Sequence, residues 1–173
     1  IASMFRKVDA DYYVIVDGDA PASLVLTSVT PTGGTVTAGK WNLTNTGVAI
    51  VVPLTTNDNS LDGGKVTIVA TESNANSFED VIVDQVITAG ERGAGSKTIN
   101  LSKAQMTGIS NYADSKTIWF TSKTYDKAGN MTQGPTTYKL LVIDIAAPFV
   151  EQVQGTSGTY RLGETITLTL DFS

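Results

Sequence analysis

The sequence predicts an all-β fold, an antiparallel sandwich of two sheets, and three observations carry that reading. Residues 48–54, 65–71, 78–88, 116–124 and 138–144 are rich in Val, Ile, Thr and aromatic side chains, and Gly, Asn, Asp or Pro clusters bound each run. Apolar and polar residues alternate through Lys65-Val66-Thr67-Ile68, and again through 164–170. In the latter, Ile166, Leu168 and Leu170 fall on one side and Thr165, Thr167 and Thr169 on the other. One wet face and one dry face is the pattern of an antiparallel sheet. The third observation is self-similarity. Tyr12-Tyr13-Val14-Ile15-Val16-Asp17 followed by Ala20-Pro21 matches the run 138–144 followed by Ala147-Pro148, with Asp17 on Asp144 and Pro21 on Pro148. After each proline, Gly34 to Lys40 aligns with Gly158 to Glu164 at an offset three residues shorter.

Taken in order, the strands are separated by turn chemistry: Asn57-Asp58-Asn59-Ser60, Asp62-Gly63-Gly64, Ala89-Gly90, Gly93-Ala94-Gly95 and Asp126-Lys127-Ala128-Gly129-Asn130. In the last of these, Asp126 and Asn130 suit an Asx-type turn, and Gly129 supplies a positive φ. One segment reads as helix. Ser102-Lys103-Ala104-Gln105 has capping-box spacing and Gly108 ends it after one or two turns. About seven short strands joined by polar turns indicate a two-sheet sandwich of immunoglobulin type. The repeat then sets boundaries: 1–17 as the closing strand of a preceding repeat, 18–145 as one complete sandwich, and 146–173 as the opening strands of a following repeat. The alternative places all 173 residues in one larger sandwich.

Composition narrows the chemistry. Lys and Arg number 12 against 17 Asp and Glu, a net charge of −5, which disfavours nucleic acid and anionic membrane surfaces as partners. Neither cysteine nor histidine is present, so disulfides, Cys/His zinc sites, thiol chemistry and His-based triads are excluded. No apolar run is long enough to span a bilayer as a helix. A start at Ile1, with no signal peptide, reads as a piece of something longer.

A family resemblance rests on an ordered set of motifs. Val51-Val52-Pro53-Leu54 precedes Asp58 and Leu61-Asp62-Gly63-Gly64-Lys65-Val66. Ile99-Asn100-Leu101-Ser102 with its helical connector follows, then Asp126 to Asn130, a strand, and Ala147-Pro148; Gly163-Glu164-Thr165-Ile166-Thr167 opens the next unit. Most of the chain thereby resembles the tandem bacterial Ig-like repeats of large surface adhesins and biofilm-associated proteins. A weaker likeness, through Asp17-Gly18-Asp19-Ala20-Pro21 and Ala147-Pro148-Phe149, is to cadherin repeats. The chain lacks the Leu-Asp-Arg-Glu motif, and Ile145-Ala146 stands at the second junction where Gly18-Asp19 stands at the first. The adhesin resemblance implies an extracellular or cell-surface bacterial protein whose repeats extend a binding domain outward. It also implies calcium at domain junctions.

Calcium is the chemistry the residues permit, because it takes six to eight oxygens from carboxylates and carbonyls on turn-rich backbone. The candidate ligands are Asp17 and Asp19 at the first junction, with Asp9 and Asp11 upstream, Asp144 at the second junction, and Asp126 in its turn. Each has a structural counterpart as a turn residue accepting backbone N–H groups. The stretch 57–63 resembles an EF-hand loop only superficially, since Ile68 occupies the twelfth position. Trp41, just after a turn, and Trp119 are the candidates for a sugar platform, against core packing as the default. No nucleophile, base and oxyanion hole assemble, so an enzyme is not expected. Three roles remain: an extender or adhesive repeat partnered by neighbouring repeats, with a surface receptor or glycan as a further partner; a filament subunit that exchanges strands with its neighbours; and a carbohydrate-binding module.

Overall fold

The computed structural model describes residues 16–72, 77–135 and 139–172. The expected closing strand before Val16, with Asp9 and Asp11, and Tyr138 in the last long run lie outside the described residues.

The chain is mostly β. A three-stranded antiparallel sheet has the order β1 (Ser28–Thr32), β3 (Gly47–Pro53), β6 (Ser96–Ser102). A six-stranded sheet runs β2 (Lys40–Asn42), β9 (Lys139–Asp144), β7 (Thr117–Tyr125), β4 (Lys65–Thr71), β5 (Glu79–Val86), and β8 (Met131–Gln133) pairs with the far end of β7. Its pairings are antiparallel except that of β2 with β9, which is parallel. Period-two alternation makes the two sheets face each other. Val48, Ile50 and Val52 of β3 and Ile99 and Leu101 of β6 are buried, and they join Ile118 and Phe120 of β7 and Leu141 and Ile143 of β9 in one core. Full burial of each such side chain contributes roughly 1.5–3 kcal/mol. This arrangement is compatible with the predicted sandwich.

Three expectations are corrected and one, the short helix after Ser102, is met. Trp41 is no surface aromatic: it is fully buried, and its indole Nε1 donates to the Tyr112 hydroxyl at 2.7 Å. A second helix, α1 (Ala89–Ala94), replaces the turns expected there, because Thr88 and Glu91 form a complete capping box and Gly95 closes the helix at φ 74°. The predicted helix, α2 (Lys103–Thr107), has its capping box from Ser102 and Gln105 and ends at Gly108. In the tail, strand structure is confined to β10 (Val150–Gly155) and β11 (Leu168–Phe172). They form a separate two-stranded sheet in which every residue is exposed, so Ile166 lies outside the strand and no buried face is formed among the described residues.

Register fixes where the chain enters and leaves the two sheets. Lys65 pairs with Tyr125 and Thr71 with Trp119, while Thr117 pairs with Val142 and Asn42 with Asp144. The strand ends at Lys65 and Tyr125 therefore define one pole, and those at Thr117 and Asp144 the other. The incoming segment at Asp17 bonds to Asn130 just beyond Tyr125, at the first pole. The outgoing segment follows Asp144, at the second.

Candidate functional site

At the incoming pole, the Asp126 to Asn130 turn is a closed hydrogen-bonded unit. Asp126 is only 2% exposed, and both of its carboxylate oxygens accept from Asn130: Oδ1 from the backbone N–H at 2.8 Å and Oδ2 from the side-chain amide at 2.8 Å. The Asp126 N–H donates back to the Asn130 carbonyl, and Gly129 adopts φ 95°. Asn130 also donates through Nδ2 to the carbonyl of Asp17 at 3.1 Å. The turn and the first junction, separate candidates in the sequence, are thus one assembly. The 55–64 loop completes it. Lys127 N–H donates to Ser60 carbonyl at 2.8 Å, and Gly64 lies so close that a Cβ there would sit 2.2 Å from the Tyr125 carbonyl oxygen.

Asp17 accepts the Asp19 N–H at 3.2 Å, an Asx turn within the linker. Asp58 caps a 3-10 turn over Asn59–Leu61 by accepting from the Ser60 N–H and hydroxyl. Asp17, Asp19 and Asp58, with Asn57 and Ser60, line a hollow of about 420 Å³. The carboxylates stand around its wall without converging: among the described residues no group of three acidic side chains is placed to hold one ion. Asp126 is not among the residues that line this hollow, and each of its oxygens accepts from Asn130. Asp58 was not among the expected ligands, because only the tertiary packing of its loop brings it to the linker.

At the outgoing pole, Asp144 pairs with Lys40 at 3.0 Å, both about half exposed. An ion pair so placed contributes about 0–1 kcal/mol. Asp114, which sequence reasoning passed over, has the stronger geometry. Its Oδ1 accepts from the N–H of Ile145 at 2.6 Å and of Ala146 at 2.8 Å, and Oδ2 accepts from the Ser115 hydroxyl at 2.9 Å. Those backbone and hydroxyl donors hold the Asp114 carboxyl below the ordinary carboxylate range. Ser115 reaches this position with φ 62°, and its own N–H donates to the Ile143 carbonyl at 2.7 Å. Asp144 and 145–148 wall a second hollow, of about 320 Å³, against Thr35 and 42–44.

The two tryptophans do not make a surface platform. Trp41 belongs to the core, and Trp119 is half-buried between the buried Ile118 and Phe120. Compared with protein-family models, with curated proteins and with solved structures, the chain matches none of them.

Proposed function

We propose that this chain is a non-enzymatic extender module of a bacterial cell-surface or secreted protein, an immunoglobulin-like sandwich that works in series with neighbouring repeats. The observation that carries the reading is the attachment of the two linkers at opposite poles, because a module that lengthens an array must receive the chain at one end and release it at the other. The strand order supports the immunoglobulin assignment: β1-β3-β6 against β9-β7-β4 corresponds to A-B-E against G-F-C, with β2 as a short strand that has crossed to the second sheet. The separate β10–β11 sheet beyond Pro148 supports a further unit in series. Small-angle scattering of a chain carrying two and then three copies tests this. The maximum dimension is expected to grow by one sandwich length per copy, and a compact particle whose dimension does not grow would overturn the reading.

Calcium at the first junction is part of the same proposal: Asp17, Asp19 and Asp58 line the hollow, and binding an ion would require them to draw together from positions in which they do not converge. Bound only by the folded state, it would stabilise by mass action. Chelation should then lower the melting temperature and Asp19→Asn should abolish that sensitivity; identical melting curves with and without chelator would remove calcium from the account.

A filament subunit is the second reading, favoured by one feature. On β10 and β11, Val150, Val153, Leu168, Leu170 and Phe172 share a face by register, and all are exposed. A two-stranded sheet is marginal alone, and an added strand would complete it. Concentration-dependent polymers in sedimentation velocity would favour this reading, and a concentration-independent monomer would dismiss it.

A further inference from the structure

We infer that Asp114 is a linker-positioning residue, which fixes the direction in which the chain leaves the sandwich by substituting its side-chain carboxylate for backbone acceptors at the end of the β7–β9 ladder.

The register shows what it replaces. Thr117 pairs with Val142, the Ile143 N–H donates to the Lys116 carbonyl, and continuing the ladder would set Ile145 opposite Asp114. Backbone pairing stops first, because the left-handed Ser115 turns its strand away after donating to Ile143. The Asp114 side chain then supplies the acceptor that the departing backbone no longer offers, and takes both the Ile145 and Ala146 N–H groups on one oxygen. In an extended strand successive N–H groups point in opposite directions. Two adjacent ones converging on one oxygen require the backbone to bend there, so this contact selects one bend. Pro148 restricts Ala147 immediately afterwards.

The internal repeat extends the consequence, and here the inference rests on the proposed tandem arrangement. Asp144-Ile145-Ala146-Ala147-Pro148 is the counterpart of Asp17-Gly18-Asp19-Ala20-Pro21. Asp114 grips the second and third positions of that linker from the preceding module. Asn130 grips the carbonyl of the first position from the following one. A five-residue linker held in both of these ways would be stiff without metal.

Amide hydrogen exchange on the 173-residue chain tests the role of Asp114 with no array and no cation present. Asp114→Ala should accelerate exchange at Ile145 and Ala146 by roughly tenfold, the factor a hydrogen bond of ordinary net strength confers on local opening. Ile118 and Leu141 should keep their protection. Asp114→Asn retains an acceptor oxygen and should restore most of the protection at Ile145 and Ala146. Unchanged exchange in the alanine variant, acceleration spreading equally into Ile118 and Leu141, or an asparagine variant that behaves like alanine would each overturn the assignment. Failure of the extender reading shows instead as scattering dimensions that do not grow with copy number, whatever the exchange result.

Discussion

Asn130 holds Asp126 and Asp17 with one side-chain amide, donating to the carboxylate of the first at 2.8 Å and to the backbone carbonyl of the second at 3.1 Å. A residue that reads as the last letter of a turn motif is therefore also the anchor of a segment 113 residues earlier in the chain.

Removing that amide should have a local and a global effect. Asn130→Ala leaves a buried Asp126 oxygen without its donor, at a cost of about 1–3 kcal/mol. Denaturant unfolding should show the loss at an unchanged m-value, and the Gly18 and Asp19 amides should become more mobile by NMR relaxation. Stability lost with no change in the linker would mean that the contact to Asp17 orders nothing.

The Gly64 position is closed to larger residues. A Cβ would stand 2.2 Å from the Tyr125 carbonyl and 3.1 Å from the Asp126 backbone, neither of which is a flexible side-chain end. Gly64→Ala should cost about 1–3 kcal/mol by overpacking, read as a lower denaturation midpoint. Gly129→Ala meets no neighbour and carries only the cost of a positive φ, about 1–2 kcal/mol. If the two variants unfold together at the wild-type midpoint, the close packing of the 55–64 loop on the turn is wrong.

Trp41 should behave as a core residue. Trp41→Ala is expected to lose about 3–5 kcal/mol. Trp41→Phe keeps most of the packing and loses the hydrogen bond to Tyr112, a smaller effect. Near-wild-type stability of the alanine variant, with changed retention on immobilised glycans, would return Trp41 to the surface.

Acid should loosen both poles. Asp114 titrates low because the Ile145 and Ala146 N–H groups and then the Ser115 hydroxyl favour its charged form. At Glu91, partial burial pushes the carboxyl up, but the Lys97 ammonium at 2.6 Å and the Thr88 N–H and hydroxyl outweigh it and leave it lowered. A carboxylate whose folded pKa is depressed contributes its stability above the unfolded value, and loses it as pH falls through the folded value. Stability should therefore fall below about pH 4, the ordinary carboxylate range. The Ile145 and Ala146 amide shifts should titrate there in the wild type and stay flat in Asp114→Asn. Flat shifts in the wild type would contradict the proposed acceptor.

What could be read from the sequence was local chemistry. Asp126, Gly129 and Asn130 close their turn within five residues, and Ser102 with Gln105 caps α2, so neighbours in sequence carry the whole signal. Thr88 and Glu91 have the same spacing, but Gly90, Gly93 and Gly95 read as breakers; the reciprocal cap outweighs them over a helix this short. β1 carries Pro31, tolerable on an edge strand, and β2 is only three residues long, so neither shows a periodic signal. Asp114 was illegible for a different reason. Its partners lie 31 and 32 residues away and are backbone groups, which leave no trace in side-chain pattern.

The parallel pairing of β2 with β9 places Trp41 beside Ile143, at nearly opposite ends of the sandwich sequence. That rung cannot form until the last strand exists, so a ribosome must release the chain past Asp144 before the core can close over the indole. Long-range closure of this kind slows folding and prolongs exposure of apolar strands. In a row of similar modules, the neighbour's last strand is the nearest competitor for the vacant edge beside β2, and the speed with which β9 docks would decide whether the modules fold separately or exchange strands.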